Sequence, residues 1–177
     1  EGRQTFKVKA NYGNTPATIP SHIGAMLGET GVELVLTRIE LGGSSNSGVT
    51  MTLVGHRHME TGGGDKVDTS APRTVAHGIT LRKNFGANCF SIAPTGMVAI
   101  SSSSITIECD HDETPNNDGN TVAGENYNPR ITGTFSGTGI TATAPAGYDG
   151  EVMDPQTNNN GFKTVSINIQ KALAFAE

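Results

Sequence analysis

The feature that most narrows what this chain can become is a period of two in its apolar residues. Near the start, in "RQTFKVKANYGNTP", Phe6, Val8, Ala10 and Tyr12 alternate with Lys7, Lys9 and Asn11. Near the end, in "FKTVSINIQKALAFAE", Val165, Ile167, Ile169, Leu173 and Phe175 share one parity, broken only by Lys171. Alternation of this kind puts one residue set on each face of a β-strand. Between the two ends, "GVELVLTRIELGGSSNSGVTMTLVGHRHME" holds two β-branched runs around a Gly/Ser/Asn connector, the signature of a hairpin. Val32, Leu34, Leu36 and Ile39 are expected to face inward from its first arm, and Val49, Met51 and Leu53 from its second. "TVAHGITLRKNF" and "MVAISSSSITIEC" read as further strands, and in the second Ile105 and Ile107 alternate with Thr106 and Glu108. "RITGTFSGTGITATAPAG" continues the pattern through Ile131, Phe135 and Ile140.

No segment carries a convincing helical period; one helical turn is expected near Ile23 to Leu27. Only 16% of residues are charged, and Gly, Thr, Ser and Asn supply the polarity instead, which favours strands and turns over exposed helices. The expected fold is all-β: a single-domain β-sandwich, immunoglobulin-like or a jelly-roll Greek key, of about seven or eight strands. At 177 residues the chain suits one domain. Residues 1–12 form an N-terminal extension strand and 13–177 the sandwich. "TGGGDKVDTSAPR" reads as a loop, as do the polar stretches 110–129 and 148–161.

The composition argues against several function classes. A net charge of -5, with Arg82–Lys83 and nearby Arg73 as the densest basic patch, does not suit a nucleic-acid binder unless the chain is a capsid protein. No apolar run approaches the ~20 residues of a membrane-spanning helix. A chain opening at Glu1 fits a mature product after signal-peptide removal, so a secreted or cell-surface location is expected. In that setting Cys89 and Cys109 are disulfide candidates; a bridge would close a loop of about 20 residues and contribute roughly 3 kcal/mol. Two separate buried thiols are the alternative.

Catalytic signatures are missing: there is no Gly-x-Ser-x-Gly elbow, no phosphate-cradling loop and no cysteine-protease motif. The chain reads as a non-enzyme without a cofactor. In "GHRHME", His56 and His58 share a strand face and would need His77, His111 or Glu60 to complete a metal site; alternation at an exposed strand end explains them equally. "TPNNDGNTVAGE" matches part of a calcium loop, with Asn116, Asp118 and Gly119 at the third, fifth and sixth positions and Glu125 at the twelfth. Asp110, Asp112 and Glu113 would be added ligands. Thr114 stands where the first carboxylate belongs, and an Asp-Gly turn with solvated carboxylates accounts for the same residues.

The opening strand has two possible destinations, the edge of its own sheet or the sheet of a neighbour, where alternate side chains would fill a groove and backbone hydrogen bonds would supply affinity. Repeated head to tail, the second arrangement does not close and grows a filament. "RQTFKVKANYGNTP" resembles the N-terminal extension of chaperone-usher pilins, especially the class 5 fimbrial subunits. "GFKTVSINIQ" is similar to their last strand and "VLTRIELGGSSNSGVTMTLVG" to their central strand-turn-strand. The resemblance implies an extracellular filament subunit polymerising by donor-strand exchange, with Phe6, Val8, Ala10 and Tyr12 as the donated side chains. It also implies identical subunits, a periplasmic chaperone and an usher as partners, and a role in adhesion or biofilm. A small viral or phage capsid or decoration protein with a swapping terminal arm is the alternative, and a calcium-assisted carbohydrate-binding module a further one.

Overall fold

The computed structural model describes residues 2–9, 19–24, 26–27, 34–57, 74–83, 85–115, 117, 121–157 and 163–176. All regular structure among them is β, and they contain no helix long and apolar enough to cross a membrane. The strands are β1 (Gly2–Lys9), β2 (His22–Ile23), β3 (Met26–Leu27), β4 (Leu34–Ser44), β5 (Thr50–Arg57), β6 (Val75–Ala76), β7 (Thr95–Pro115), β8 (Thr121–Thr143), β9 (Asp149–Thr157) and β10 (Lys163–Ala172). An eight-stranded sheet runs β1-β5-β4-β7-β8-β10-β9, with β3 on β4, and β2 and β6 make a separate two-stranded sheet. Every pairing is antiparallel.

One face of the large sheet is apolar because the alternation holds across neighbouring strands. Ile39 and Leu41 of β4, Ile105 and Ile107 of β7, Ile131 and Phe135 of β8, and Val165, Ile167 and Ile169 of β10 are all buried. In register, Ile39 lies opposite Ile107, Ile107 opposite Ile131, and Phe135 opposite Ile167. Burying such side chains contributes about 1.5–3 kcal/mol each. The opposite face carries Thr106, Thr132, Thr134 and Asn168, partly exposed or fully so. A bulge between Leu36 and Arg38 in β4 shifts the parity, which is why Leu36 and Ile39 are both buried.

Ile19, Ile23, Val75, Ile79, Cys89 and Phe90, from the two-stranded sheet and the irregular chain before and after it, join the same core. This cover differs from expectation in two places. The turn foreseen near Ile23 to Leu27 is a pair of two-residue strands, β2 and β3, with the Gly24 amide donating to the Leu36 carbonyl at 2.7 Å. The strand expected over "TVAHGITLRKNF" forms only at β6, with isolated antiparallel bridges further on between Leu81 and Phe90 and between Phe85 and Gly48. Beyond Ala76 the chain leaves the strand conformation at Gly78, with a φ of 71°, yet Val75, His77 and Ile79 still point inward, and its amides turn to side chains: Ile79 donates to His77 Nδ1 at 3.0 Å and Thr80 to Ser91 Oγ at 3.0 Å. Alternation there records packing onto the sheet, not membership of it.

The polar stretch 110–129 also differs. Instead of a loop, it continues the β7–β8 ladder from Asp110↔Tyr127 to Pro115↔Thr121. A ladder needs only backbone pairing, so it persists where the sequence has no hydrophobic period.

Candidate functional site

β1 is the edge strand of the large sheet, and its position follows from its alternating sequence. It pairs residue for residue with β5, from Gly2↔Arg57 to Lys9↔Thr50, without a bulge. Among the described residues it pairs with no other strand. Phe6 lies opposite Leu53 and Val8 opposite Met51, itself buried, whereas Lys7 and Lys9 lie opposite Thr52 and Thr50. Ala10 and Tyr12 lie outside the described residues. The opening strand therefore sits on its own chain's sheet here, and β5 is the surface it would vacate if it left.

At the other end of the chain, Val165, Ile167 and Ile169 of β10 are buried between β8 and β9. Leu173 and Phe175 follow the strand and pack half-buried against the core, with the Ala176 amide donating to the Thr74 carbonyl at 2.9 Å. Lys171, which breaks the apolar parity, holds its Nζ 5.2 Å from the centre of the Tyr148 ring.

The two cysteines are free, buried thiols, not the bridge considered from sequence. Cys109 Sγ donates to the Thr37 carbonyl at 3.7 Å, whereas Cys89 Sγ sits at Gly43, 2.9 Å from where a β-carbon would be. Thr37 and Gly43 are six positions apart on β4, so the sulfurs are separated by about 20 Å. A disulfide needs Cα atoms within about 7 Å. Burial pushes both thiols up to about 11, which leaves neither as a thiolate nucleophile at neutral pH.

The metal candidates are dispersed. Asn116 and Asp118 lie outside the described residues, as do His58 and Glu60. Glu125 is in β8 opposite Asp112. His77 is in the core cover, bonded to the Pro20 carbonyl through Nε2, and His111 is on the β7–β8 ladder with Nδ1 2.8 Å from Asn126 Oδ1. Among the described residues no group of three His, Cys, Asp or Glu side chains is arranged to hold a metal ion.

Two features have no counterpart in the sequence reading. The first is the projection of the acidic ladder. β4 accompanies β7 only as far as Glu108, beyond which β3 pairs with β4, and β10 accompanies β8 only as far as Arg130. Past that point β7 and β8 pair only with each other among the described residues. Arg130 fixes the base: Nη2 lies 2.8 Å from Glu108 Oε1 and Nη1 lies 2.9 Å from Asp110 Oδ1. Asn128 takes a left-handed φ of 49° there, and its side-chain amide donates to Asp110 Oδ2 at 3.3 Å. The second is a groove of about 410 Å3 on the polar face, lined by Ser104, Thr106, Thr132, Asn168, Asp149 and Glu151 among others. The residue types in both were visible as letters; the strand register that brings them together was not.

Comparison of the chain with protein-family models, with curated proteins and with solved structures gave no match.

Proposed function

We propose that this chain is a non-catalytic structural subunit of an extracellular filament, a fimbria-like homopolymer that grows by donor-strand exchange and serves adhesion or biofilm. In this reading the core and its cover form a β-sandwich, residues 1–12 are the donor segment, and identical subunits are the main partners. A periplasmic chaperone and an usher would assist. The observation that carries the reading is strand β1, attached among the described residues along one side only, by a bulge-free ladder to β5. The ladder that β1 makes with its own β5 can be made identically with the β5 of a second copy, so exchange conserves the strand's pairing and is governed by concentration and by the connecting segment.

The test is electron microscopy of purified native material beside a chain lacking residues 1–12. The reading expects filaments that vanish on deletion and a residual monomer that binds the peptide TFKVKANY. Closed shells would favour a coat protein instead, and filaments indifferent to deletion would return β1 to its own sheet.

A carbohydrate-binding module is supported by a different observation, the groove near Asn168. Its hydroxyls, amide and carboxylates offer both donors and acceptors to a polyhydroxylated ligand. Glycan-array binding that disappears in Asn168→Ala would favour it, with calcium added and removed to read any metal requirement.

A further inference from the structure

The polar face of the large sheet repeats one order of side chains in two neighbouring rows. Across β7, β8, β10 and β9 the register aligns Thr106, Thr132, Gln170 and Asp149 in the first row. Two residues along, it aligns Ser104, Thr134, Asn168 and Glu151 in the second. Each row therefore reads hydroxyl, hydroxyl, carboxamide, carboxylate. Strand geometry spaces the members of a row about 4.8 Å apart and the rows about 7 Å apart. All of these residues line the groove of about 410 Å3, a volume suited to a small ligand. The second row is already oriented: Thr134 Oγ1 donates to Asn168 Oδ1 at 2.8 Å, and Asn168 Nδ2 donates to Met153 Sδ at 3.5 Å. The Thr134 hydroxyl thus keeps its oxygen lone pairs for an incoming donor.

The charge of the groove is one-sided. Asp149 and Glu151 are exposed, each at the β9 end of its row, and no Lys, Arg or His is among the described residues that line the groove. Arg130 stands one row away on β8, at the base of the projecting β7–β8 arm (residues 110–127), where it is engaged with Glu108 and Asp110. Neither Asp149 nor Glu151 has an ion-pair partner among the described residues. Hydroxyl and carboxamide rows suit a polyhydroxylated ligand, and the two carboxylates add a demand for positive charge along one side of it. A simple polyamine would satisfy the carboxylates and leave the hydroxyl rows unused.

We propose that the groove binds an amino-sugar oligomer, a glycan whose hydroxyls lie over the Ser/Thr positions and whose protonated amines reach Asp149 and Glu151. This rests on the carbohydrate-binding reading of the groove and is independent of where β1 pairs. It puts the ligand's own ammonium groups, instead of a calcium ion, against the carboxylates.

The experiment is isothermal titration of the full chain at about pH 6, where hexosamine amines are protonated and ordinary carboxyls are ionised. The probes are a glucosamine tetramer, its N-acetylated form, a glucose tetramer and spermine. The glucosamine tetramer is expected to bind on the order of tenfold more tightly than either uncharged sugar. Asp149→Asn with Glu151→Gln should bring it down to their level while leaving theirs unchanged, and Asn168→Ala should weaken all three. Equal binding of the three sugars, lost in Asn168→Ala, would overturn the amine contact and leave the carbohydrate reading standing. Glucosamine binding indifferent to the carboxylate pair would also overturn the amine contact. If no sugar binds the unaltered chain, both readings fall. Spermine binding as tightly as the glucosamine tetramer, with neither affected by Asn168→Ala, would reduce the contact to charge alone and overturn the glycan as its occupant.

Discussion

At His77 the two ring nitrogens are committed in opposite senses. Nδ1 accepts from the Ile79 amide, so the proton sits on Nε2, which donates to the Pro20 carbonyl. The neutral ring thus ties the Pro20 segment to the chain after β6, and burial, reinforced by nearby His22, lowers its pKa from 6.5 despite the bond to Pro20. A histidine whose folded pKa is depressed binds its proton more readily when unfolded. Stability should therefore be full above about pH 6.5, fall as pH drops from there toward the folded pKa, and level off below it. Urea unfolding between pH 7.5 and 5 checks this, and His77→Gln should flatten the dependence; an equal slope in both would refute the assignment. Gly137 is fixed by space instead: a β-carbon there would lie 1.9 Å from the Ala99 carbonyl oxygen, in backbone that cannot swing aside. Gly137→Ala should cost about 3 kcal/mol in urea unfolding, the scale of an overpacked core. The thiols give a third check. With both cysteines free and buried, a thiol reagent should react slowly with the native chain and titrate two groups once it is unfolded without reductant. Zero groups would restore the bridge.

At the scale of elements, the arm and the sheet should separate in their response to Arg130. Its guanidinium is over a third exposed, so the ion pairs at the arm's base contribute modestly, and Arg130→Gln should lower global stability by no more than about 1 kcal/mol. Its local effect should be larger: amide exchange in residues 110–115 and 121–127 should accelerate while β10 stays protected. Uniform acceleration would mean that the pairs hold the whole sheet. The arm also marks where sequence reading stops. Val165, Ile167 and Ile169 announced their buried face because a core enforces alternation, and the β4–β5 hairpin was announced by its Gly/Ser/Asn connector. In "DHDETP" and "AGENYNP" the letters carry no apolar period, so the ladder is invisible until its register is known. "TVAHGIT" misleads in the converse way, because irregular chain packed on a sheet can alternate as a strand does. The bulge at Leu36 and the separation of the two sulfurs along β4 are likewise products of register, not of any local pattern.

For the whole molecule, assembly by strand exchange requires that β1 open without the rest of the sheet unfolding. The topology sets that order. β7, β8 and β10 each have neighbours on both sides in the strand order, and Ile105, Ile107, Ile131, Phe135, Val165, Ile167 and Ile169 bury the centre of the sheet. Among the described residues β1 has one neighbour, β5, so its release breaks that ladder and exposes β5. Opening free energies in such a sheet range from near zero at frayed edges up to the global value in its centre. Native-state hydrogen exchange should therefore show β1 and the facing amides of β5 opening together at a free energy well below that of β8 and β10, and insensitive to low denaturant. Added TFKVKANY peptide should leave β8 and β10 unchanged and enter only as fast as β1 opens. If β1 exchanges only with global unfolding, the strand is part of the cooperative core, the monomer cannot donate it under native conditions, and any polymer must form during folding instead of after it.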